Sequence, residues 1–151
     1  MPYHIIAIGP KHEPHLQEII DSYEKRLERF GGVHWILLPY GAQANETARR
    51  TESAAITTKL KDDDYVVLLD ERGSELTSLA LAKRLDTMRA SSRRIVFVIG
   101  GAYGVDDALR TRAEFVLSLS QLVFPHQIIR LILVEQLYRS HMILENHPYH
   151  H

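Results

Sequence analysis

Five short apolar runs alternate with segments of helical spacing, and this alternation narrows the possible folds more than any other feature of the chain. The runs are YHIIAIG (3–9), VHWILLP (33–39), the centre of DDDYVVLLDERG (65–69), RIVFVI (94–99) and EFVLSLS (114–120). Between the first two, residues 13–29 place Leu16, Ile19, Ile20, Tyr23, Leu27 and Phe30 at helical spacing. A weaker helix of mixed charge is expected over 44–61. A third spans 74–90, with Ser74 or Thr77 as its N-cap. A short one covers 105–112, and a long one opens at Pro125 and runs to about Glu145, because proline suits a first helical turn. The strands are apolar on both faces. That pattern predicts an α/β fold with a mostly parallel sheet and helices on both faces. The 151 residues suit one domain, 1–151, with no internal repeat and no linker.

Composition removes several function classes. There is no cysteine, so disulfides, cysteine-ligated zinc and thiol catalysis are excluded. Net charge is −1 with neutral histidines, which argues against a generic nucleic-acid coat but allows a local basic patch. No apolar run reaches the roughly 18 residues of a membrane span. The first fifteen residues lack the pattern of a signal peptide, so a cytoplasmic protein is expected. Nine histidines are many for this length, and five lie at or after position 126.

The last helix, QIIRLILVEQLYRSHMIL (127–144), is apolar around much of its circumference, interrupted by Arg130, Glu135 and Arg139. Such a helix is covered on more than one side. The cover is either a second subunit or the remainder of a monomeric core. Glu135 and Arg139 are spaced for an i, i+4 ion pair. Arg130, amid apolar neighbours, is expected to pair at a subunit contact or to face substrate. His126, at the helix start, either caps the helix or lines a pocket.

Ligands of open α/β sheets bind outside the carboxyl ends of the strands. Gly100, Gly101 and Gly104 follow the fourth strand there, in RIVFVIGGAYGVDDAL (94–109). Their spacing is neither the dinucleotide fingerprint nor a P-loop. They are ligand-cradling glycines or simply turn glycines. A second loop, LSLSQLVFPHQ (117–127), leaves another strand end. VVLLDERG offers a third, where Asp70 suits a ribose or cationic ligand and Glu71 a solvated turn.

VFVIGGAYG, LSLSQLVFPHQIIRLILVEQLYR and the terminal NHPYHH resemble the bacterial large-subunit rRNA pseudouridine N3-methyltransferases, of the SPOUT class. The resemblance covers nearly the whole chain and is strongest from Tyr65 to His150. It implies a homodimer with a C-terminal trefoil knot, a device that topology rules alone would never suggest. It implies S-adenosylmethionine as cofactor, bound by Leu69, Gly100, Leu119, Ser120, Gln121, Leu122, Val123 and Phe124, with Gly101 and Gly104 shaping the pocket. Leu69, Leu122 and Phe124 would wall an adenine slot. The implied substrate is a pseudouridine of 23S rRNA on the assembled ribosome.

The resemblance also places the tail on the substrate side of the pocket, through Asn146, His147, Pro148, Tyr149 and His150. Histidine is a natural proton acceptor near neutral pH. His150 is therefore expected to deprotonate or orient the base, and Tyr149 to stack on it. No metal is expected, since the tail histidines lack cysteine or paired carboxylates. Many relatives carry arginine where this chain has His151. Lys83, Arg84, Arg89, Arg93 and Arg94, or Arg49, Arg50, Lys59 and Lys61, form either a basic rim for RNA or, more often for such residues, a solvated face. Three other readings remain: a knotted methyltransferase for another RNA such as tRNA, a non-catalytic ribosome-binding factor, and a nucleotide-binding flavodoxin-like module.

Overall fold

A computed structural model describes residues 1–151. The order is β1 (Tyr3–Ile8), α1 (Pro14–Leu27), a 3-10 turn (Glu28–Phe30), β2 (Val33–Leu38), α2 (Asn45–Thr57), β3 (Tyr65–Glu75), α3 (Ser78–Ala90), β4 (Ile95–Ile99), α4 (Asp107–Arg112), β5 (Phe115–Ser118) and α5 (His126–Leu144). All strand pairings are parallel, in the order β2-β1-β4-β3-β5. The alternation of the sequence thus becomes a parallel sheet, as a chain of βα units requires.

Side chains along each strand separate to the two faces. Tyr3, Ile5 and Ala7 of β1 join Phe97 of β4 and Val67 of β3 in a core shared with α1, α3 and α5. Ile6, Ile8, Val66, Leu68, Val96 and Val98 face the other way, toward Ile56 of α2 and Leu109 of α4. The central strand β4 is buried along its whole length, as an apolar run covered on both faces must be.

Helix α5 lies against the sheet between α1 and α3. Leu133, Val134 and Leu137 are fully buried. Burial of each contributes about 1.5–3 kcal/mol. The flanking helices account for much of its apolar circumference within one chain, and Ile128 and Leu144 remain exposed near its ends. The Glu135–Arg139 ion pair forms as its spacing predicts, at 2.8 Å.

Two expectations change. The third strand does not stop at Leu69. It continues to Glu75, and Leu69 and Ser74 both register with Leu117, so residues 70–73 bulge outward at the carboxyl edge. Gly73 permits this. A methyl group there would lie 2.5 Å from the Val116 carbonyl oxygen. Helix α3 accordingly starts later, capped by Thr77, whose hydroxyl accepts the Ala80 N–H at 3.1 Å. Ser74 belongs to the strand instead.

The second correction concerns the basic rim. Arg94 pairs with the buried Asp64 at 2.6 Å and reaches the Lys59 carbonyl. Burial alone would push the Asp64 carboxyl up, but the hydrogen bonds from Arg94 and the Lys61 N–H hold it below its usual value. Arg93 is bound to Glu114 and to the Asp63 and Asp64 carbonyls. Arg89 donates to the Phe30 carbonyl, and Arg84 stacks on Phe115 at 3.8 Å. These guanidiniums tie loops to the sheet. Of the five cations in this part of the sequence, Arg93 and Arg94 are paired with carboxylates, and Lys83 stays exposed.

Candidate functional site

A cavity of about 750 Å³ lies at the carboxyl ends of β3, β4 and β5. Its size and mixed lining suit a ligand of nucleoside dimensions. Three loops form it. The first is the bulge of β3, with Leu69, Asp70, Glu71 and Arg72. The second is the turn from Gly100 to Val105. The third runs from Leu119 to Pro125 into α5, with His126 and Ile129 behind it.

The glycine turn closes on itself through the Gly104 N–H, which donates to the Gly101 carbonyl at 3.0 Å. Gly104 sits at φ 74°, where a side chain is strained. Just beyond, Asp106 caps α4 by accepting the Leu109 N–H at 2.9 Å. The third loop is organised by its serines. Ser118 donates to the Ser120 carbonyl at 2.9 Å, and the Ser120 hydroxyl accepts the Leu122 N–H at 3.0 Å. Leu122 and Val123 stand out at 69% and 79% exposure, apolar side chains at the mouth of a cavity.

The cavity wall carries balanced charge. Asp70 is almost covered and is shared between Arg72 and Arg110. Burial pushes its carboxyl up, but the Arg72 hydrogen bonds outweigh this and keep it low, so it is ionised. Its lone pairs are already committed to arginine, which argues against a role in holding a ribose. Glu71 is solvated, as expected. His126 lines the cavity and does not cap the helix. Burial, and then the charge of Arg130, lower its pKa, against the opposing charge of Glu52. It is a neutral wall residue at pH 7.

Of the residues named from sequence, Leu69, Gly100, Gly101, Gly104, Leu119, Ser120, Leu122, Val123 and Phe124 all line this one cavity. Gln121 does not. Its amide donates to Glu75 at 2.8 Å, bracing the loop against the end of β3.

Tyr149 and His150 lie elsewhere. The tail folds back on α1 and α5, where the Tyr149 hydroxyl donates to Glu135 at 2.9 Å and sits 3.2 Å from the Tyr23 hydroxyl. Its ring packs edge-on against Tyr138 and under the Arg139 guanidinium. Arg139 also reaches the His150 ring at 3.1 Å. Burial and these two hydrogen bonds push the Tyr149 phenol well above its usual pKa, so it is a proton-bearing donor. No tail residue lines the cavity, and Glu135 is six residues along α5 beyond Ile129, the last lining residue of that helix, about 9 Å at 1.5 Å per residue. The tail of a chain is therefore not at its own cavity.

Arg130 corrects another expectation. It faces neither a subunit contact nor substrate but is fully buried in its own chain. Its guanidinium donates to the carbonyls of Ile8, Gly9 and Lys11 at 2.9–3.1 Å and approaches the His12 ring. It thereby ties the start of α5 to the end of β1, behind the cavity. No carboxylate neutralises it, and burial lowers its pKa. The sequence signal was an arginine inside an otherwise apolar helical stretch, which marks burial but not the partner.

A family model described as "Predicted SPOUT methyltransferase" matches residues 1–150. The chain is 42% identical to the ribosomal RNA large subunit methyltransferase H of Geobacter metallireducens, covering 100% of this chain and 99% of that one. It is 39% identical to the protein of that name from Acetivibrio thermocellus, over 97% of each chain. Identity to the Francisella philomiragia protein of that name is 34% over 99% of both.

Proposed function

The chain belongs to the SPOUT methyltransferase family, and we propose that it methylates N3 of a pseudouridine in 23S rRNA with S-adenosylmethionine, as a cytoplasmic homodimer acting on the assembled ribosome. The relatives' names support the RNA class. The observation that carries the site is the convergence of three loops, 119–124, 100–104 and the end of β3, on one cavity.

The residues there fit the methyl donor. Leu69, Leu119, Leu122 and Phe124 supply apolar walls for a purine, and loop amides and carbonyls are available to read its edge. When bound, the sulfonium supplies an electrophilic methyl group. The chain's own residues bind it, exclude water and align the incoming nitrogen, and positioning of this kind provides much of the rate. His126, being neutral, adds no repulsion toward a cationic ligand.

The target nitrogen must lose a proton. His150 takes it or orients the base, and Tyr149 stacks on or positions the base. Because the tail lies on the α1/α5 face, these residues serve the cavity of a second copy. The exposed Leu122 and Val123 beside the mouth support a subunit contact there. A trefoil knot is part of the same proposal. The chain leaves β5 at the sheet edge and crosses the carboxyl ends of β3 and β4. It then seats α5 between α1 and α3, with Arg130 on the carbonyls of β1.

Methyl transfer to purified ribosomes tests the reading, alongside donor titration by calorimetry. The wild-type chain is expected to bind S-adenosylmethionine saturably and to label 23S rRNA. Gly100→Trp, which fills the cavity, loses both. Removal of residues 147–151 abolishes labelling and leaves donor affinity within about twofold. Full labelling by the truncated chain refutes the role of the tail, and absence of donor binding by the wild type refutes the cavity assignment.

A further inference from the structure

Glu52 of α2 is an anomaly. It is 4% exposed and makes no salt bridge among those of the chain. Oε2 accepts the Gly41 N–H at 2.9 Å, whereas Oε1 is buried with no hydrogen-bond partner. A buried carboxylate satisfied at one oxygen is costly for folding, so stability does not explain its presence.

Its surroundings do. A methyl group placed on Gly101 would lie 2.5 Å from Oε1, 3.1 Å from the carboxyl carbon and 3.2 Å from Oε2. The carboxylate therefore fills the space where residue 101 would carry a side chain, directly beneath the glycine turn that lines the cavity. The carboxylate cannot swing aside without giving up the Gly41 N–H. The next residue, Ser53, is also buried, and its hydroxyl accepts the Asp106 N–H at 2.9 Å, just past the same turn. Two consecutive residues of α2 thus brace both the loop before the helix and the loop that shapes the cavity.

We propose that Glu52 is a positioning residue for methyl transfer: wedged between Gly41 and Gly101, it sets the depth of the Gly100–Gly104 turn and hence the fit of the methyl donor. Its steric effect reaches the ligand through Gly101. The inference rests on the cavity being the donor site.

A double-mutant cycle tests it, with donor affinity read by calorimetric titration with S-adenosylmethionine and fold integrity by thermal unfolding without ligand. Gly101→Ala forces the turn against the carboxylate and weakens donor binding at least tenfold. Glu52→Ala removes the wedge and also weakens it. In the double variant the added methyl group occupies the vacated space, and binding is no weaker than in Glu52→Ala alone. Glu52→Gln keeps the volume and turns an amide N–H toward Gly101. It also keeps an acceptor for the Gly41 N–H, so it is expected to restore most of the donor affinity lost in Glu52→Ala, a rescue that tracks the volume at residue 52.

Penalties that simply multiply in the double variant overturn the proposal, as does Glu52→Gln binding the donor as weakly as Glu52→Ala. Saturable wild-type binding with either of those results refutes only the role of Glu52. Failure of the wild type to bind refutes the cavity assignment and this inference with it.

Discussion

Acidification from pH 7 to pH 4 should cost this protein stability through one buried imidazole. His141 is 6% exposed, stacks on Phe30 with ring centroids 4.0 Å apart, and has Nε2 2.7 Å from the Tyr3 hydroxyl. Burial pushes the Tyr3 phenol up to about 12, so Tyr3 donates and His141 accepts, as a neutral ring. Burial, and then the nearby Arg89 charge, lower the His141 pKa from 6.5 to about 4. The folded state thus resists a proton that the unfolded chain accepts. The stabilisation is complete above pH 6.5 and is lost as pH falls from there toward 4. At 1.36 kcal/mol per tenfold change in proton affinity, the displacement is worth about 3 kcal/mol. Carboxylates titrate over the same range, so the measurement must be a difference. Urea unfolding of wild type and His141→Gln at pH 7 and pH 4, at one protein concentration, isolates the histidine, since glutamine keeps an acceptor for Tyr3 and does not titrate. The wild type should lose about 3 kcal/mol more than the variant between the two pH values. Equal losses would show that His141 charges as readily in the folded protein as in the unfolded chain, and would refute the argument.

Two further outcomes follow from side chains that hold loops together. Arg130→Met leaves the Ile8, Gly9 and Lys11 carbonyls without their donor and should cost about 3 kcal/mol, read as a lower urea midpoint, with Arg130→Lys recovering only part because one ammonium cannot span all three; a loss below about 1 kcal/mol would contradict this account. Gly73→Ala drives a methyl group into the Val116 carbonyl and should cost about 1–3 kcal/mol, with faster amide exchange at Leu117 and Ser118 than in the parent; unchanged exchange there would show that the bulge adapts.

Much of the site was legible because it is built from local signals. A strand end, three glycines and a short helix marked a candidate ligand-facing turn while leaving a plain turn open, and the wall residues of the 119–124 loop followed from family resemblance. The partners of the polar residues were not legible. Arg94 has its carboxylate thirty positions away at Asp64, and Arg130 bonds a carbonyl 122 positions away at Ile8. Nothing in the spacing of either arginine announces this, and both therefore read as surface or interface charge. Glu52 drew no notice, because a glutamate in a mixed-charge helix carries no mark of burial.

By itself, the sequence determined the elements and the class of sheet: short continuous runs apolar on both faces, helical periodicity between them, and the glycine punctuation at their ends. These are properties of a few neighbouring residues. The tertiary structure decided the strand order β2-β1-β4-β3-β5, the extension of β3 past its bulge, the seat of the tail on Glu135 and the wedge of Glu52 beneath Gly101. Parallel strands are joined by long crossovers, so contacts that build the cavity come from residues far apart in the chain. Which of them meet is set when the helices pack on the sheet, and buried polar groups must then find partners wherever that packing puts them.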